Sequence, residues 1–251
     1  MPGFLHIGPH LLESEWLGEP GPRAIVLLHE GLGSVGLWRD FPRKLAEMTG
    51  MPVFAYSRPN YGGSSPSAPL PRPVRYMHDE AALLHEVVRA AGISDPILFG
   101  HSDGASIAIV YSAAQPVRAL VLEAPHVFAE QLSLESIAKA RDAYERGDLR
   151  PRLARWHQHV DAAFWGWNGP WLHAGFRGWN LTGCLTSISA PTLLVQGDAD
   201  EYGTVAQIEA IQRGLRGRTE TLLLPGAGHS PHRDRETEVL PATARFIHSL
   251  W

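Results

Sequence analysis

A chain of 251 residues with 44% apolar side chains is long enough to bury one core, with room for an insert. The formal net charge of −4 gives no general attraction to nucleic acid or to an anionic membrane, so neither is expected as a partner. Cys184 is the only cysteine, which excludes an internal disulfide and a thiolate metal cluster. No stretch approaches the ~20 apolar residues of a membrane span. The opening MPGFLHIGPHLLESEW lacks the basic and apolar blocks of a secretory signal, so a cytoplasmic protein is expected.

Residues 4–17 predict a short hairpin, and AIVLLHE at 24–30 predicts a strand buried on both faces. LWRDFPRKLAEMTG reads as a helix ending at Gly50, MPVFAYS as a strand, and YMHDEAALLHEVVRAAG as an amphipathic helix ending at Gly92. The proline-dense PSAPLPRP at 66–73 predicts an extended loop. Further along come strand 96–100, helix 103–114, strand VRALVLEA, strand APTLLVQG, helix 204–215, strand RTETLLLPG and a helix from about Pro231. This alternation predicts an α/β fold, a mostly parallel central sheet flanked by helices.

The alternation lapses between about His126 and Ser187, in a segment that reads as helical and holds Trp156, Phe164, Trp165, Trp167, Trp171, Phe176 and Trp179. An inserted helical cap over residues 126–186 is expected, with 1–125 plus 187–251 as the core. Packing the cap onto the sheet accounts for any one of these aromatics. As a set they imply an apolar pocket at the strands' carboxyl ends, where open α/β sheets bind ligands.

Chemistry enters at GHSDG. The apolar run Ile97–Phe99 leads into Ser102, followed by small residues and Ile at helical spacing. A sharp strand-to-helix turn tolerates little but glycine around its apex, and Gly100 and Gly104 meet that demand. Such a turn projects the apex hydroxyl beside a helix N-terminus, whose N–H groups face a developing anion: a nucleophile elbow. A serine hydroxyl then needs a base, and the base an orienting acid. DADEYGT follows strand APTLLVQG and offers Asp198 and Asp200, while AGHSPH follows TLLLPG and offers His229, with His232 close by.

Together GHSDG, VQGDADEYGT and GAGHS, with LLHEGLGS upstream, resemble the α/β-hydrolase superfamily over essentially the whole chain, in particular carboxylesterase-like members with a helical cap. The resemblance implies an α/β-hydrolase fold, a Ser102–His229–Asp200 triad and no cofactor or metal. Its G-x-x-D pattern favours Asp200 over Asp198, and its spacing favours His229 over His232. It also implies an oxyanion hole from the Asp103 N–H and from Gly31, or alternatively Leu32. Two positions depart from the family: Glu30 where glycine is usual, and Ser57 where aspartate is common. Glu30 is expected to point away, to be hydrogen-bonded or to contact substrate.

The implied reaction is hydrolysis of an ester-like bond in a small molecule with an apolar or aromatic part. Glu30, His126, Phe164, Trp165 and Trp167 are candidate substrate contacts. His78, His85, His157 and His159 offer no identifiable partner. Thioester, lactone or carbon–carbon bond hydrolysis would use the same triad. A CoA thioester draws on KARDAYERGDLRPRLAR, where six basic residues face three acidic ones, a run that a solvated helix face also explains. A small-molecule receptor with a silent triad is the reading from another class.

Overall fold

The computed structural model describes residues 3–67 and 70–251, so residues 68 and 69 of the expected proline-rich loop lie outside the described residues. Eight strands form one sheet in the order β1-β2-β4-β3-β5-β6-β7-β8. The hairpin β1 (Gly3–Ile7) and β2 (His10–Leu17) is antiparallel at one edge, and β2 pairs antiparallel with β4 (Val53–Tyr56). From β4 onward all pairings are parallel, through β3 (Arg23–Leu28), β5 (Asp95–His101), β6 (Ala119–Glu123), β7 (Thr192–Gly197) and β8 (Thr219–Leu224).

The central strands read as unbroken apolar runs because both faces are covered. Val26, Leu28, Leu98, Leu120 and Leu122 face one core with α2 (Tyr76–Ala90) and α3 (Asp103–Ser112). The alternate residues Ile25, Leu27, Ile97, Phe99 and Val121 face the other, against α1 (Phe41–Thr49) and the C-terminal α10 (Glu236–His248). Period-2 alternation therefore divides each strand between two interiors, and each fully buried Leu or Phe contributes about 1.5–3 kcal/mol.

Two expected helices are divided. The one read over 37–50 becomes a 3-10 turn, Val35–Trp38, then α1, with Arg39 at φ 54° between them. Pro42 explains the break, since it has no N–H and its ring would collide with a preceding helical turn. The helix from Pro231 stops after α9 (Pro231–Asp234) and resumes as α10.

Between β6 and β7 lie α4 (Gln131–Arg146), α5 (Leu149–Leu153), α6 (Val160–Leu172) and α7 (Thr182–Leu185). Helix α8 (Val205–Gly214) joins β7 to β8. Ser102, Asp200 and His229 each follow a strand, and Ile137, Trp167 and Trp171 from the segment between β6 and β7 line the pocket there.

The tightest joint is the β5–α3 turn. A Cβ on Gly104 would sit 2.0 Å from the Leu28 carbonyl oxygen, and one on Gly100 would sit 2.5 Å from the Gly104 carbonyl oxygen. Backbone cannot give way there as a flexible side chain can. Gly104→Ala is therefore expected to lose about 1–3 kcal/mol of stability in urea denaturation; an unchanged midpoint would contradict this packing.

Candidate active site

Ser102 stands at φ 54° and ψ −117°, a conformation that non-glycine residues seldom adopt. Neighbouring bonds hold it there: its N–H donates to the Glu123 carbonyl at 2.9 Å, and its own carbonyl accepts from Ala105 N–H at 2.9 Å. The hydroxyl consequently leaves the strand and meets His229, with Ser102 Oγ 2.9 Å from Nε2. On the other ring edge Nδ1 lies 2.8 and 2.9 Å from the two Asp200 oxygens. A carboxylate can only accept, so Nδ1 carries the proton and Nε2 is left to accept from the serine.

Asp200 also accepts from Tyr202 N–H at 2.7 Å and from Gln196 Nε2 at 2.9 Å. Burial pushes its carboxyl up, but the hydrogen bond and charge of His229, then the Tyr202 N–H, outweigh this and hold it at about 2. Asp198 has a different task, accepting from Gly226 N–H at 2.6 Å across the β7 and β8 loops. His232 is drawn away too, its Nδ1 lying 3.0 Å from Glu123 Oε1.

The turn after β3 brings Gly31 and Leu32 to the same pocket as Ser102 and Asp103. Among the described residues neither the Gly31 nor the Leu32 N–H has a backbone acceptor, and Asp103 N–H opens α3 with no turn before it. The turn is fixed from beneath by Arg58, whose guanidinium donates to the His29 carbonyl and, at 2.9 Å, to the Glu30 carbonyl. His157 fixes it from the side: Nδ1 accepts from Gly62 N–H at 3.0 Å, and Nε2 lies 2.9 Å from the Leu32 carbonyl. His157 thus has the partners that its sequence did not disclose. Ser57 is a tie as well, accepting from Val35 N–H at 2.9 Å and donating to Glu13 at 2.6 Å.

Asp103 adjoins the nucleophile, yet its carboxylate turns inward, accepting from Tyr76 Oη and, at 3.2 Å, from Trp171 Nε1. Burial raises its carboxyl above the ordinary range, against the pull of Arg58. Glu30 does not turn inward. It lines the pocket, its side chain is 31% exposed, and its nearest basic group is His101 Nδ1 at 3.7 Å, beyond hydrogen-bonding range. Burial works to raise this carboxyl, but His101, with His29 and His232 behind it, holds it far below the usual carboxylate range. His101 opposes its own desolvation through Glu30 and Glu123 and is pushed up to about 9. Its Nε2 donates to the His229 carbonyl at 2.7 Å. His101, Glu123 and His232 bring ligand-type atoms within 4.8 Å of one another, an array already joined by the His232–Glu123 bonds.

A cavity of about 180 Å³ opens above the serine. Of the candidate contacts, Glu30, His126 and Trp167 line it. Phe164 and Trp165 do not: Phe164 stacks on Tyr144 at 3.6 Å between α4 and α6, and Trp165 packs edge-on against the same pair. One helical turn along from Trp167, Trp171 supplies the wall expected of them, joined by Ile137 and Tyr202. The basic run at 139–155 stays outside, with Arg150 paired to Asp161 and Arg152 to Asp148 on the exposed surface.

The sequence profile of the alpha/beta hydrolase family matches residues 25–242, most of the chain and every motif above. The chain belongs to the alpha/beta hydrolase family. No curated protein sequence matches it. Among solved structures it is similar to a carboxylesterase of the thaumarchaeon Nitrososphaera gargenis, at 16% identity and a TM-score of 0.80, covering 99% of this chain and 98% of that one. It is also similar to the esterase EaEST of Exiguobacterium antarcticum (18%, TM-score 0.77, covering 99% and 100%) and to proline iminopeptidase of Mycobacterium smegmatis (17%, TM-score 0.75, covering 100% and 98%). At such identities the likeness is one of fold. No helix of the described residues is long and apolar enough to cross a membrane.

The protonated state of His101 predicts a pH signature. Its folded value of about 9 lies above the ordinary 6.5, so its contribution is complete below about pH 6.5 and fades as pH rises through 9. Urea denaturation of the wild type should lose stability of order 1–3 kcal/mol across that interval. His101→Gln should start less stable and lose less, and parallel slopes for the two proteins would refute the assignment.

Proposed function

We propose that the chain is a serine hydrolase that cleaves an ester-like bond through an acyl-enzyme. The observation that carries this reading is the unbroken relay from Ser102 Oγ to His229 Nε2 at 2.9 Å and from Nδ1 to Asp200 at 2.8 Å. As the Ser102 oxygen attacks the carbonyl carbon, its proton passes to His229 Nε2 and the carbonyl electron pair moves onto oxygen. The resulting imidazolium is stabilised by Asp200. The oxyanion receives hydrogen bonds from Asp103 N–H and from Gly31 or Leu32, donors worth about 2.7–4 kcal/mol each in comparable sites.

Collapse of this intermediate returns the electron pair, breaks the bond to the leaving oxygen and moves the imidazolium proton onto it. Water then repeats the sequence on the acyl-enzyme and frees Ser102. Residues 126–186 serve as the cap, and Ile137, Trp167 and Trp171 hold the apolar part of the substrate. The small cavity suits short acyl groups.

Ser102→Ala should lower kcat on 4-nitrophenyl esters by about 10³-fold or more, and Asp200→Asn by a comparable factor through loss of the correct imidazole tautomer. A fluorophosphonate probe should label the wild type once per chain at Ser102. A folded wild type that neither takes up the probe nor hydrolyses a broad ester panel would overturn the proposal in favour of a receptor.

A further inference from the structure

The pocket presents two polar side chains that make no side-chain hydrogen bond among the described residues, although Glu30 keeps an ion-pair contact with His101 at 3.7 Å. Glu30 accepts no side-chain hydrogen bond among the described residues, though it is partly open to the pocket and its charged form is favoured. A pocket-lining carboxylate in that condition has lone pairs free to accept from a donor on the substrate. His126 is the second: the residue is 2% exposed, its Nδ1 is buried without a partner, and its ring lies 5.7 Å from that of His229. Burial, followed by the neighbouring His229, pushes His126 down to about 3, so it meets the pocket as a neutral imidazole.

The charge inventory of the lining has one sign. Glu30 and Glu201 are acidic, and neither Lys nor Arg lines the pocket. The buried cations lie elsewhere and have their own counter-charges: Arg72 pairs with Glu80, while Arg58 donates its hydrogen bonds to backbone carbonyls and faces Asp103 and Glu80. Among the described residues His101 is the one basic group within 4 Å of Glu30, and it is shared with Glu123, since both carboxylates act on it. The walls beside these groups are the aromatic rings of Trp167, Trp171 and Tyr202, whose faces also attract cations.

We propose that the substrate carries a protonated amine or quaternary ammonium within a few bonds of its scissile carbonyl, received by Glu30 against the aromatic walls. Glu201 adds attraction for a cation at the pocket. This deepens the hydrolase reading and rests on it. Two unit charges a few ångströms apart in a partly shielded site interact strongly enough to alter kcat/KM by an order of magnitude or more.

The test compares 4-nitrophenyl esters of β-alanine, butanoic acid and succinic acid, which present a cation, no charge and an anion on similar chains. Choline butanoate, set against its uncharged carbon isostere, places the charge on the leaving group instead. In the wild type, kcat/KM should favour the cationic member of at least one set over its neutral counterpart by about tenfold or more, with the succinate ester slowest. The preference should shrink as salt rises from 0.05 to 0.5 M, and Glu30→Gln should reduce the cationic-to-neutral ratio at least fivefold.

Equal rates across both sets, or a preference for the succinate ester, would overturn the inference, and this arm needs no variant. Calorimetric binding of the same esters to Ser102→Ala separates the two claims. Charge-selective binding without turnover in the wild type would sink the hydrolase reading and leave this one standing. Turnover without selectivity would do the reverse.

Discussion

The Ser102 turn is the constraint on which everything else depends. A left-handed serine is unfavourable by about 1–3 kcal/mol in isolation and persists only where its surroundings leave no alternative. Here its N–H is tied to β6 through Glu123, and the start of α3 is pressed against the end of β3 where Gly104 meets the Leu28 carbonyl. The proposed nucleophile and the proposed sources of oxyanion donors thereby lie on elements packed directly against one another.

Charge is buried on both sides of this joint, and the two groups do different work. Beneath the β3 turn, Arg58 holds carbonyls and faces Asp103, while Arg72 pairs with Glu80. Behind β5, His101 sits between Glu30 and Glu123, and Glu123 also accepts from the His232 backbone N–H at 2.7 Å. Buried ions are weak evidence for stability because desolvation offsets much of their attraction. Their placement is more telling. Arg58 fixes the turn that carries the proposed oxyanion donors, and the His101 bond to the His229 carbonyl fixes the loop that carries the proposed base.

What could be read from the sequence divides along the same physical lines. The strands and the loop residues that follow them were legible because each depends on local signals: apolar runs, glycines at a turn, a residue directly after a strand. Asp200 over Asp198 came from the family's G-x-x-D pattern, not from a local signal. The cap resisted such reading, since α6 is apolar on most sides and periodicity alone does not say which ring meets α4 and which meets the sheet. Hence Phe164 and Trp165 were expected in the pocket and Trp171 was not singled out, although its spacing of four from Trp167 places them on one face. His157, Arg58 and His101 were illegible for another reason. Their partners include backbone carbonyls and carboxylates 22 to 128 residues away, and no pattern in the chain encodes which carbonyl a fold will leave unpaired.

The division of labour between sheet and insert follows from one contact. Trp171, from α6, donates to Asp103 at 3.2 Å and to Tyr76 Oη at 3.0 Å, so the roof of the pocket is pinned to the residue beside the nucleophile. The same hydrogen bonds hold the Asp103 carboxyl inward, away from the position where an oxyanion would form. Negative charge near that position is thus withdrawn on the α3 side and retained on the β3 side, at Glu30. That charge has His101 behind it at 3.7 Å and the pocket in front of it. In the proposed recognition of a cation, Glu30 supplies the charge, the segment between β6 and β7 the apolar shape around it, and the sheet the positions of Ser102, Asp200 and His229.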